Sequence, residues 1–182
     1  MLIKNKVVTT FVAVTAALNA GYTHLTIASA TSPLTTPSHG FIAETVRYAH
    51  EHGAAVDVLI AAPKPDYIYN DSEIKIMEAD VFTVQSLGAD GVIINALTDK
   101  GGLDSSSLVQ LIAAAGGMQV SLGWSIDQLA PSQATAAIKW AHDQQLDHIY
   151  STQHDLSDSL VVPVVASDAA DLSDQYRFIL EL

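Results

Sequence analysis

Polar side chains that close a run of buried residues can do chemistry, because a strand holds them still while its end opens to water. In this chain they are Thr26, Ser29, Asn95, Ser125, Asp127, Ser151 and His154, joined by Asp66 on a loop between two apolar segments. A pair of acids facing each other could cleave a glycosidic bond, but only Asp127 stands at a strand end. Ser125 has no His and Asp at a spacing that would activate a nucleophile. No Gly-rich turn with a nearby Lys or Arg offers a grip on phosphate. What the stretch QVSLGWSID, Gln119 to Asp127, supplies instead is Gly123, Trp124 and Ser125. Tryptophan brings one N–H donor and a large apolar face, suited to filling an opening or to stacking on a flat ligand. Closure of the opening by Trp124 is the expectation.

Metal and redox chemistry find few donors. The chain has no cysteine, which excludes disulfides, zinc thiolate sites and thiol catalysis. Its three methionines, Met1, Met77 and Met118, are scattered. Of seven histidines, His50 and His52 are neighbours, but two residues apart on a helix they point about 200° apart. No metal and no cofactor is expected.

Length and charge bound the partners. A chain of 182 residues with 49% hydrophobic and 15% charged residues suits one domain with one sizeable core, spanning 1–182. Twenty acidic residues against eight basic give a formal charge of −12, with no basic patch. That balance repels the phosphate backbone and anionic lipid, so neither nucleic acid nor membrane is an expected partner. The first thirty residues mimic a signal peptide, with basic MLIKNK, an apolar stretch and ASA at Ala28 to Ala30. Thr9, Thr10, Thr15 and Asn19 break the apolar run, so a cytoplasmic protein is expected.

The candidate residues need strands to hold them, and short apolar segments alternate with helix-period segments along most of the chain. Strands are predicted near Lys6–Thr9, His24–Ala28, Val56–Ala61, Gly91–Asn95, Gln119–Leu122 and His148–Ser151. Helices are predicted over Phe11–Ala20, from Pro37 to a stop at Gly53, from an Asn70 or Asp71 cap to Gly88, over Ser105–Ala115 behind an Asp104 cap, and from Pro131 to His142. Six such repeats imply a parallel sheet, open and doubly wound or closed as a (β/α)8 barrel. Leu160–Ser167 and Arg177–Leu182 read as further strands, but the ten residues SDAADLSDQY between them are too few for a helical crossover. One turn of helix is expected there, with late helices missing or reduced and the barrel wall partly uncovered. Because Val161, Val162, Val164 and Val165 flank Pro163, an exposed apolar face is expected on this strand. A homodimer covering it follows.

Four ordered motifs carry a family resemblance: TPSHG at Thr36–Gly40, YIYNDSEIKIM at Tyr67–Met77, GADGVIINALT at Gly88–Thr98 and GGLD at Gly101–Asp104. Together they resemble the CutC copper homeostasis family over roughly Thr23 to Ser151. The resemblance implies a TIM barrel and, as a family label only, copper ion binding. It also implies a loss. Where the family pattern has His and Arg after the fifth strand, this chain has Gly123 and Trp124; an Arg-Pro-Arg run is matched by Ala61, Ala62 and Pro63; a Glu and a Cys are matched by Thr26 and Ala28. The expected protein is a CutC-like barrel without catalysis, binding a small-molecule ligand or acting as a scaffold. The alternative is an enzyme with a rebuilt site using Asp127 and Asn95 on a small neutral metabolite.

Overall fold

Apolar runs of four to six residues build a closed barrel of eight parallel strands. The computed structural model describes residues 3–153, 156–165 and 178–182. In chain order the elements are β1 (Ile3–Val8), α1 (Phe11–Asn19), β2 (His24–Ile27), α2 (His39–Glu51), β3 (Ala55–Ile60), α3 (Asp71–Ser86), β4 (Gly91–Ile94), α4 (Ser105–Ala115) and β5 (Gln119–Leu122). A 3₁₀ turn (Trp124–Gln128), α5 (Pro131–Asp143), β6 (His148–Ser151), β7 (Val161–Val165) and β8 (Phe178–Glu181) follow.

Side-chain alternation divides the barrel into two cores, since successive residues of a strand face opposite sides. Val56, Val58 and Ile60 of β3 join the outer core between sheet and helices, with Val81, Leu108 and Leu111. Leu59 and the following Ala61 join Ile93, Tyr150, Val162, Val164 and Leu180 in the inner core. The starts of α1 to α4 are capped by side chains: Asn70 and Glu73 form a reciprocal capping box on α3, and Asp104 Oδ1 accepts from the Ser107 N–H at 3.1 Å on α4. Helix α2 begins at His39 rather than at Pro37. Ser38 is its cap, accepting from the Phe41 N–H at 3.3 Å, so Pro37 stands just outside.

The barrel closes where β8 pairs with β1, from Ile3 opposite Phe178 to Lys6 opposite Glu181. Glu181 is 4% exposed and accepts a hydrogen bond from the Tyr22 hydroxyl on one oxygen while Lys4 stands 3.4 Å from the other. Burial, aided by that carboxylate, pushes the Tyr22 phenol up to about 12. The Lys6 ammonium donates to the Leu182 carbonyl at 2.8 Å across the same seam.

The late half departs from the helical repeat. Among the described residues between β6 and β7 there is no helix, only a turn in which Asp158 accepts from the Leu160 N–H at 2.9 Å. The short turn expected over SDAADLSDQY, and Arg177, lie outside the described residues. The exposed wall expected on β7 is not found. Val162 and Val164 point into the barrel, Pro163 and Val165 are buried by the chain itself, and Val161 packs against the outer core.

Candidate functional site

At the C-terminal ends of the strands a cavity of about 210 Å³ opens into the barrel. Its walls are Pro33, Leu34, Leu59, Ala61, Val164 and Leu182, with Tyr67, Trp124, Asn95 and Thr152. Among the described residues no Lys, Arg, His, Asp or Glu lines it. Trp124 therefore does not plug the barrel as expected; half buried, it forms one wall of an open pocket. Its neighbour Tyr67 holds a left-handed backbone at φ 55°, unusual outside glycine. Asp66 helps to hold that turn by accepting from the Ile68 N–H at 3.1 Å, and the Tyr67 carbonyl accepts from the Leu97 N–H at 2.9 Å. Burial raises the Tyr67 phenol, Trp124 beside its hydroxyl lowers it, and Asp127 adds a further push upward.

Gly123 is explained by the residue across from it. A Cβ at this position would lie 2.6 Å from Asn95 Oδ1 and 2.8 Å from its Cγ, a collision with a fully buried side chain. The absence of a side chain at Gly123 lets Asn95 accept from the Ser125 N–H at 3.0 Å and so anchor the 3₁₀ turn that carries Trp124. Asn95 Nδ2 and Ser125 Oγ, both buried, have no hydrogen-bond partner.

The remaining sequence candidates do structural work. Both oxygens of Asp127 are engaged: Oδ1 accepts from the Ser151 hydroxyl at 2.5 Å, and Oδ2 from the Thr152 N–H at 2.9 Å and hydroxyl at 2.6 Å. Asp127 thus fastens the end of β6 to the 3₁₀ turn, while α5 starts without a side-chain cap. Asp66 is on the surface, and Ser29 bonds to Thr31 and Thr35 in its own loop. Thr26 is fully buried, donating to Asn5 Oδ1 at 3.1 Å. His154 lies outside the described residues. Asp127→Ala is expected to cost about 1 to 2 kcal/mol, since charge-assisted bonds are lost at a half-exposed site. Urea denaturation measures it, and an unchanged midpoint would show that the fastening contributes nothing.

Thr26 belongs to a second polar region that sequence reasoning did not assemble. Asn5, Thr26, Asp57, Ser121 and Tyr150 all face the inside of the barrel near the strand starts and are buried. Tyr150 Oη faces Asn5 and Ser121 without closing a hydrogen bond, and Asn5 Nδ2 is likewise unpartnered. Gly91 leaves room for the Asp57 carboxyl, which a methyl there would strike. Burial, with Asp90 and Asp147 nearby, pushes Asp57 up to about 7. Those two acids precede β4 and β6 and fasten the preceding odd strands: Asp90 accepts from the Val56 N–H at 2.7 Å and Asp147 from the Val120 N–H at 2.8 Å. His24 and His148, beside them at strand starts, are lowered chiefly by burial. The barrel is polar at its floor and apolar at its mouth, whereas TIM barrel enzymes carry their working groups at the mouth.

A closed barrel of eight parallel strands with its cavity at the strand C-termini defines the TIM-barrel class. The family model for the CutC family matches residues 3–163, and the chain belongs to that family. A CutC family protein of Enterococcus faecalis is 36% identical over 115 residues, 63% of this chain and 55% of the relative. One from Bacteroides fragilis is 31% identical over 134 residues, covering 72% of this chain and 51% of that one. The chain thus spans about half the length of the curated relatives it matches. The crystal structure of a putative copper homeostasis protein CutC from Streptococcus agalactiae matches all of this chain and 98% of its own at TM-score 0.87 and 21% identity, a likeness of fold.

Copper does not fit the donors at the mouth. Copper(I) prefers thiolate and thioether, and copper(II) imidazole with oxygen. Among the described residues the mouth holds no methionine, histidine or carboxylate, and Met77 is sealed in the outer core at 1% exposure. His50 pairs with Asp90 at 2.9 Å and His52 donates to the Tyr48 carbonyl at 2.7 Å. Among the described residues no three of His, Asp and Glu gather as a metal site.

Proposed function

We propose that this CutC family barrel is a cytoplasmic, non-catalytic protein that binds a neutral small molecule at its mouth. One observation carries the reading: the described residues that line the cavity at the strand C-termini are all apolar or uncharged. General acid–base chemistry needs a titratable group within reach of the reacting atom, matched to the working pH; Tyr67, the one such group among the described lining residues, is raised by burial further from neutrality. Asp127, the acid that the enzyme reading relied on, has its oxygens committed to Ser151 and Thr152. No helix of the described residues is long and apolar enough to cross a membrane.

The test is a thermal-shift screen of small metabolites, neutral and charged, followed by mass spectrometry of each stabilising compound after hours with the protein. Neutral compounds raising Tm without being consumed is the expected result. Turnover that Asp127→Asn abolishes would establish the enzyme instead. Self-association is a lesser proposal, because the β7 wall from which it was argued is buried within the chain; sedimentation showing only monomer at high concentration removes it.

A further inference from the structure

We propose, building on the binding reading above, that the mouth accepts a flat, uncharged ring system about the size of a fused bicycle, carrying one hydrogen-bond acceptor. Size comes from the cavity. An apolar cavity of about 150 Å³ takes a benzene ring, and this one, at about 210 Å³, has room for roughly a second ring. Neutrality comes from the walls. Among the described lining residues a bound carboxylate or phosphate would find no Lys or Arg to replace its lost water, and a bound cation no carboxylate. Tyr67, the one titratable side chain among the described lining residues, is a phenol raised by burial and so uncharged near neutrality.

The preference for a ring follows from Trp124 and Tyr67, which present an indole and a phenol to the same space. An aromatic partner that packs offset-stacked or edge-to-face against such rings gains stability beyond that of the apolar area it buries. The acceptor is assigned by elimination among the polar atoms of the lining. The Thr152 hydroxyl is held by Asp127 at 2.6 Å, and Trp124 approaches the Tyr67 hydroxyl. Asn95 remains, fully buried, with Oδ1 taken by the Ser125 N–H and Nδ2 unpartnered. A buried amide N–H without a partner is a standing cost that an acceptor on the ligand would remove.

Three probes test the assignment by Trp fluorescence and by NMR of the Trp124 indole N–H: quinolin-2-one, a neutral bicycle with a carbonyl; indole, which has no comparable acceptor; and quinoline-2-carboxylate, which is charged. Quinolin-2-one should bind with Kd below about 1 mM and about ten-fold more tightly than either of the others. Ala61→Phe, which fills the cavity, should abolish all binding. Equal binding of quinolin-2-one and indole, or tighter binding of the carboxylate, overturns the ligand class and leaves the binding reading standing. Failure of all three probes overturns the ligand class as well, while a neutral non-aromatic hit in the metabolite screen, lost in Ala61→Phe, would keep the binding reading. Absence of any such hit sinks both.

Discussion

Asp57→Asn will stabilise the protein at pH 8 by up to about 4 kcal/mol and leave it nearly unchanged near pH 4. The carboxyl is raised from an ordinary 3.8 to about 7, chiefly by burial, with Asp90 and Asp147 adding repulsion. A carboxyl whose folded pKa lies above its unfolded value contributes most to stability when protonated in both states. As pH climbs from about 4 to 7 the unfolded chain releases this proton while the folded chain keeps it, so that contribution is progressively lost. Above 7 the folded barrel carries the buried charge at its full cost, about 1.4 kcal/mol for each pKa unit. Asparagine has nearly the same shape and never ionises, so the difference between variant and parent should grow across that window and then level off. His24 and His148 titrate with the opposite sign, since burial lowers them and their contribution rises with pH. Both are present in parent and variant, so subtraction largely isolates Asp57. Urea midpoints at pH 4.5, 6 and 8 suffice. A difference that does not change with pH would mean that Asp57 is paired and charged throughout.

The repeat of strand and helix was legible because its signals are local. Asn70 and Asp104 cap the helices they precede, and a four-residue strand such as Gln119–Leu122 is bounded by glycines on either side. The division between inner and outer faces was not legible. Strands buried on both sides read as continuous apolar runs, so AVDVLI shows one interruption, Asp57, and nothing in the run says which side it faces. That lone charge was nonetheless the available signal for the floor. Asn5 and Tyr150 gave none, because their meeting depends on closing β1 against β8 and thereby bringing distant strands around one axis. Tyr67 at the mouth was equally hidden, since its left-handed turn is set by neighbouring hydrogen bonds rather than by a glycine. Asp127 and Asn95 were found as strand-end residues, but their partners decide what they do.

Those partners make Gly123 the most demanding position at the mouth. Gly123→Ala is expected to destabilise by about 1 to 3 kcal/mol, the usual range for added atoms in a packed interior. Gly123→His, which puts back the ring that the family resemblance implies, should cost more, because an imidazole must displace Asn95 altogether. Backbone strain is not the cause: Gly123 has φ −78°, which any residue adopts. The cost is steric and belongs to the pair, since a Cβ would press on Asn95 at 2.6 to 2.8 Å and break the bond from Asn95 to the Ser125 N–H. Trp124 stands between those two residues, so the same displacement should move it and reshape the cavity. A double-mutant cycle separates this from loss of a flexible residue. If the collision is the cause, Gly123→Ala made in an Asn95→Ala background should cost much less than in the parent, with a coupling of about 1 kcal/mol or more. Equal costs in both backgrounds would place the strain elsewhere. A histidine at 123 and an asparagine at 95 are thus mutually exclusive in this packing.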